Sequence, residues 1–208
     1  MPAYSPWGAI QSAQKVRPGV TIVTTARHGG IRVAPGAASR LPEPIRNLGI
    51  RSPDGTLWWE EDQVAALAAF AWPDEVAKIW DIKVCRSVIQ DSMPEVYEAL
   101  TGEKLTEEDS FALRERAAQE RHKDDMVVRT AWGDWQTGVP KGMVGVYATR
   151  GGRNGPEGAD EAYFLVDAAR YDSKRTLVGY VIDPALDTPW EDHPGASTKQ
   201  VMAIMSNP

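Results

Sequence analysis

The spacing of apolar residues changes character along the chain, and each change marks a different kind of element. Gly19 to Thr25 (GVTIVTT) is a β-branched run, and Ile31-Arg32-Val33 resumes alternation after His28-Gly29-Gly30. Two short strands around a Gly-containing turn predict a β-hairpin. Ala34 to Pro53 carries four prolines and two glycines, which predicts loop with a helical turn near Leu41 to Asn47. Trp58-Trp59-Glu60-Glu61-Asp62 reads as a helix start, because three acids there suit the helix dipole and Val64, Leu67, Ala68, Ala71 and Trp72 follow at helical spacing. Pro73 ends that helix, and a second is predicted from Asp74 towards Gln90. Pro94 to Leu100 reads as a short helix stopping at Gly102, and Thr106-Glu107-Glu108-Asp109 has the form of a capping box for a helix ending near Asp125.

From Met126 the pattern turns to strands. Met126-Thr130, Met143-Thr149, Glu161-Ala169 and Thr176-Ile182 are β-rich segments with Gly/Pro-bearing links, the signature of an antiparallel meander. The link Arg150 to Asp160, with four glycines, is the most flexible internal segment expected. The order hairpin, central helices, C-terminal antiparallel sheet predicts an α+β fold in a single domain over 1–182. Residues 183–208, interrupted by Pro184, Pro189 and Pro194, read as an irregular tail packing through Trp190.

Composition narrows the class. With 208 residues, 42% apolar and 25% charged, the chain has ordinary globular usage and enough length for a substantial core. Eight Trp against three Phe is an unusual balance. Cys85 stands alone, which excludes an intrachain disulfide and the cysteine-rich zinc patterns and fits a reducing compartment. No signal peptide opens the sequence and no apolar run is long enough to cross a bilayer, so a cytoplasmic location is expected.

Charge is uneven. The first fifty residues hold Lys15, Arg17, Arg27, Arg32, Arg40 and Arg46 against Glu43 alone, leaving a net −11 for residues 51–208 of a chain at −6 overall. Such asymmetry suggests an interaction surface. At its centre Arg27-His28-Gly29-Gly30-x-Arg32 forms a candidate anion site, in which consecutive glycines could turn backbone N–H groups to one point, Arg27 and Arg32 would clamp the anion, and His28 would move a proton. The bland reading is a plain hairpin turn. Glu61 and Asp62 are the further catalytic candidates, as acids that would orient His28 or hold a metal; the competing reading is helix N-terminal chemistry with a Trp anchored in the core. Trp59, Glu60, Glu61, Trp132 and Trp135 are candidate interaction residues, the last two flanking Gly133-Asp134 in a strand link. The Arg150-Gly151-Gly152-Arg153-Asn154-Gly155 loop suits RNA or a phosphate, against a default of a mobile hairpin loop. No metal-ligand spacing, Walker loop, GxGxxG, HExxH or GxSxG pattern occurs, so no metal and no cofactor are expected.

The blocks Ser5-Pro6-Trp7-Gly8, Arg27-His28-Gly29-Gly30, Trp59-Glu60-Glu61-Asp62, Ala131-Trp132-Gly133-Asp134-Trp135 and Gly142-Met143-Val144-Gly145-Val146 resemble a domain-of-unknown-function family carried on bacterial plasmids, integrated elements and phages. The resemblance runs from Ser5 to about Tyr171. Members often carry Cys directly after the acidic triplet; here Gln63 stands there, which weakens thiol-based chemistry. The resemblance implies a mobile-element accessory protein, and by association an inhibitor of a host defence nuclease or CRISPR-type system, with a host or defence protein as partner. The alternatives are an enzyme acting on a phosphorylated or nucleotide substrate and a single-strand nucleic-acid binder; net acidity disfavours duplex DNA.

Overall fold

The computed structural model describes residues 4–61 and 64–194. The fold is α+β, with a β-hairpin near the N-terminus, helices in the middle and an antiparallel sheet towards the C-terminus. The chain divides into two compact units, Met1–Arg114 and Glu115–Pro208.

In the first unit a small hairpin of β1 (Tyr4–Ser5) and β2 (Gly8–Ala9) precedes β3 (Ser12–Arg17), β4 (Val20–Thr24) and β5 (Gly29–Val33). Two short helices, α1 (Pro35–Ala38) and α2 (Glu43–Asn47), lead to β6 (Ile50–Arg51) and β7 (Leu57–Glu60). The antiparallel sheet has the order β3-β4-β5-β7-β6. Leu57 to Glu60 is therefore strand, not the helix start that its acids suggested. β-branched and aromatic neighbours reward extended backbone there, and pairing with β5 outweighs the local helix signal.

Because side chains alternate across a strand, register sorts this sheet into two faces. Ile31 opposes Ile22 and Trp59, and Val33 opposes Val20 and Leu57. That face forms the core with Ile45 of α2, Leu67 of a 3₁₀ turn and Ile89 further along. The expected helix from Val64 to Trp72 is split into the 3₁₀ turn Val64–Leu67 and α3 (Ala68–Ala71), and the next into α4 (Pro73–Val76) and α5 (Ile82–Ser92). α5 starts where Asp81 accepts a 2.8 Å hydrogen bond from the Lys83 N–H, a cap inside the predicted continuous helix. α6 (Pro94–Thr101) stops at Gly102, whose φ of 77° is left-handed, as its sequence implied. Asp109 does bond Thr106, 2.9 Å to its N–H and 2.7 Å to its hydroxyl. Helix α7 (Phe111–Arg121) nevertheless begins beyond that box, and the boundary between the units falls within it.

The second unit is built on β8 (Met126–Trp132), β9 (Met143–Arg150) and β10 (Glu161–Asp167), followed by α8 (Ala168–Ser173) and β11 (Thr188–Pro189), in the antiparallel order β11-β10-β9-β8. The segment Thr176–Ile182, expected as a strand, makes only the bridge Val127↔Val181 and a tight turn closed between Thr176 and Gly179. Residues from 183 do not simply trail away: Thr188 opposes Leu165, and Trp190 is buried. Asp187, its side chain fully buried, ties this return to α8, accepting from the Arg170 guanidinium, the Tyr180 hydroxyl and, at 2.8 Å, the Asp183 N–H. Burial lifts the Tyr180 phenol above its ordinary value, so it stays a neutral donor.

Substituting Asp187 by Ala strands a largely buried guanidinium and should cost about 3 kcal/mol, read by urea unfolding. Gly30→Ala should also destabilise the protein by about 1–3 kcal/mol, since its Cβ would lie 2.2 Å from the Trp59 carbonyl oxygen and 2.5 Å from the Trp7 ring. Unchanged melting of either variant would contradict the packing described.

Candidate functional site

Of the polar residues singled out by the sequence, the second face of the first sheet carries Lys15, Arg32 and Glu60. Arg32 opposes Trp58 and Thr21, Lys15 opposes Thr21, and Gly30 opposes Glu60. Trp7 lies over Gly30 and meets Trp58 edge-on, ring centroids 6.1 Å apart. Only glycine leaves room for that indole, so the second glycine of His28-Gly29-Gly30 serves close packing. The Trp58 Nε1–H donates to Ser52 at 2.9 Å. Arg32 extends its guanidinium above the Trp58 ring, 5.8 Å from the centroid, and its buried Nε has no hydrogen-bond partner among the described residues.

The turn between β4 and β5 is Thr25 to His28, one step earlier than the glycines. Thr25 closes it with both backbone and side chain: its N–H and hydroxyl donate to the His28 carbonyl, at 2.7 and 2.9 Å. Gly29 and Gly30 are strand residues paired to β4 and β7, and neither has positive φ. The nest of converging N–H groups expected at these glycines is therefore not formed, because the sheet ladders engage that backbone. Arg27 is exposed on the turn. Arg32 lies four residues beyond His28, about 13 Å along an extended strand, so the two do not converge on one small anion. Arg17 is used elsewhere, paired with Glu75 of α4 at 2.9 Å. Lys15 and Arg32 share the second face of the sheet, whereas Arg17 is drawn to α4 and Arg27 stands on the turn.

His28 does gain a carboxylate, though not a predicted one. Its Nδ1 lies 2.7 Å from Glu60 Oε1, both side chains being partly exposed. Strand alternation sends Glu61 to the opposite face, where its carboxylate occupies the space a Cβ at Gly29 would need. Glu61 also lines an apolar recess of about 250 Å³ with Trp80, Asp81, Val84, Cys85 and Val88. Asp62 lies outside the described residues. Trp59, a candidate for interaction, is instead core: 4% exposed, with its Nε1–H donating to the Ile45 carbonyl at 3.3 Å. No group of three or more His, Cys, Asp or Glu side chains among the described residues is placed to hold a metal ion.

In the second unit Trp132 and Trp135 part company. Trp132 opposes Gly145 and stacks with Tyr163 at 6.3 Å, and Trp190 packs edge-on against both rings. His193 stacks on Tyr163 at 3.7 Å, a partner that no local sequence signal marked. Trp135 stands outside this cluster, 76% exposed, its indole folded back over Gly133. The His28–Glu60 pair was likewise missed; only the cross-strand register could have found it.

A family described as Domain of unknown function (DUF7007) matches residues 1–123. That span covers the first unit and all of α7, and ends before β8. No curated protein and no solved structure matches the chain. Among the described residues, no helix is long and apolar enough to cross a membrane.

Burial, with Asp81 nearby, pushes the Cys85 thiol above its ordinary value. Alkylation of Cys85 by iodoacetamide at neutral pH should therefore be at least about tenfold slower in the folded protein than after unfolding in urea. Equal rates would show that the recess admits solvent and reagent freely.

Proposed function

The chain belongs to the DUF7007 family, and we propose that it acts by binding another protein rather than by catalysis, as a mobile-element accessory protein directed at a host defence component. The supporting observation is Trp135. A ring that would gain greatly from burial stands 76% exposed on a strand link that is itself ordered, with the Gln136 N–H bonded to the Gly133 carbonyl at 3.0 Å. Trp is among the residues most enriched at the energetic centres of protein interfaces, and its two side-chain torsions limit the entropy lost on docking. The net −11 of residues 51–208 would steer such a protein to a basic partner, as a nucleic-acid-binding nuclease would be. The mobile-element setting rests on the sequence blocks alone.

A second reading, an enzyme acting on a phosphorylated substrate, draws on one observation. Glu60 bonded to His28 Nδ1 holds the imidazole as an orienting carboxylate would, leaving Nε2 to take a proton. Against it, Glu61 lies on the other face, and the Thr25 hydroxyl beside His28 bonds its backbone N–H and carbonyl and not its imidazole.

The test is affinity capture with the full chain from bacterial host lysate, wild type beside Trp135→Ala and His28→Ala. A stoichiometric protein partner should be retained by wild type and His28→Ala, and weakened about 30-fold or more by Trp135→Ala, equivalent to about 2 kcal/mol. Absence of a partner, or equal capture by Trp135→Ala, would refute the first reading. Loss of the biological phenotype in His28→Ala with capture intact would favour the second.

A further inference from the structure

The second unit contains a cavity of about 330 Å³ beside β8, and its chemistry differs from every surface described above. β8 is the edge strand of its sheet, and beyond the Val127↔Val181 bridge the returning chain stands away from that edge. The gap is walled by α7, by the 3₁₀ turn Gly152–Asn154 and by the Thr176–Gly179 turn. Arg129 of β8, Arg153 and Asn154 of the 3₁₀ turn, Glu115 of α7, Tyr171 of α8 and Arg175 just before the Thr176–Gly179 turn line it. Glu115 is the only carboxylate among the lining residues, so the cavity carries a net charge of +2.

The three arginines are gathered around a single lining carboxylate, too little to neutralise them. Other arginines of the second unit are consumed structurally: Arg150 Nε and one terminal nitrogen donate to Asp160 Oδ2 at 3.0 and 2.8 Å, and Arg170 pairs with Asp187. Among the described residues Arg129, Arg153 and Arg175 have no ion pair; Arg175 instead lies over the Tyr171 ring, 5.7 Å from its centroid. Three like charges around one concavity repel each other, and the arrangement is stabilised when an anion enters.

The turn that carries Arg153 is also fixed in place. Gly151 is left-handed at φ 72°, its N–H donates to the Asp125 carbonyl at 2.9 Å, and Arg150 bonds the Asp124 carbonyl at 2.6 Å. A segment whose glycines suggested mobility therefore presents Arg153 and Asn154 from a held backbone, which lowers the entropy lost on binding.

We propose that this cavity binds a nucleotide through its phosphate groups, with Arg129, Arg153 and Arg175 as the phosphate clamp and Asn154 and the exposed edge of Tyr171 as neighbours for the rest of the molecule. Guanidinium forks match phosphate oxygens in pairs. The volume falls at the small end of ligand pockets and is bounded on several sides, which suits a small molecule better than a continuous strand. The cavity lies almost wholly beyond the residues matched to the family, and it stands independently of the Trp135 surface.

The experiment is calorimetric titration of the full chain with ATP, pyrophosphate, adenosine and a dT oligonucleotide, wild type beside Arg153→Gln, Arg175→Gln and Lys141→Gln. ATP and pyrophosphate should bind saturably, more weakly as salt rises, while adenosine does not. Arg153→Gln and Arg175→Gln should each weaken ATP by about tenfold, a single charge-assisted contact, whereas Lys141→Gln, outside the cavity, leaves it unchanged. Circular dichroism and melting of the unliganded variants should match wild type, because these side chains are exposed. No saturable ATP binding up to about 1 mM overturns the proposal. So does ATP affinity indifferent to both arginine variants, or binding of the dT oligonucleotide alone.

Discussion

The pairing of Gly29–Val33 with Leu57–Glu60 governs the first unit, because its register assigns every nearby side chain to one of two faces. With Gly30 opposite Glu60 and Arg32 opposite Trp58, the residues Ile31, Val33, Leu57 and Trp59 all face the helices and close the core. A slip of β7 by one residue against β5 would turn Leu57 and Trp59 to the other side and set Trp58 and Glu60 against the helices in their place. Gly30 then lets Trp7 settle on the second face, where an added methyl group would collide with both the indole and the neighbouring strand.

The abundance of tryptophan gains meaning from these placements. Trp59 fills the first core and Trp190 is buried in the second unit, while Trp7 and Trp58 cover a sheet face that would otherwise expose backbone and apolar surface. Trp132 joins a ring cluster with Tyr163, Trp190 and His193. Against that background the exposed Trp135 is the exception, and an exposed large aromatic ring on ordered backbone is better suited to contact than to packing. Arginine divides in the same way: Arg17, Arg150 and Arg170 brace the fold through Glu75, Asp160 and Asp187, while Arg129, Arg153 and Arg175 surround open space.

Catalysis by the residues first suspected would need His28 and the acids after Trp59 on one side of the sheet. Alternation allows only one of the two described acids to be there, and it is Glu60. The glycines beside His28 are occupied by ladder pairing, so their backbone is not available to hold a small anion. The arrangement favours recognition by surfaces and by the arginine-lined cavity over chemistry at the turn.

Local pattern was enough to reveal the β4–β5 hairpin, the helical turn at Glu43–Asn47, the Pro94–Thr101 helix with its glycine stop, and the antiparallel order of β8, β9 and β10. Each depends on interactions within a few residues, or on strands joined in succession. Leu57–Glu60 misled because its acids carry a helix signal, while the strand that overrides it lies about thirty residues earlier in the chain. Arg129, Arg153 and Arg175 could not be associated by any motif, since an edge strand and two separate turns bring them together. Periodicity and capping are written in neighbouring residues; which face a side chain takes, and which distant charge it meets, follow from strand register, and register is settled only when the sheet packs.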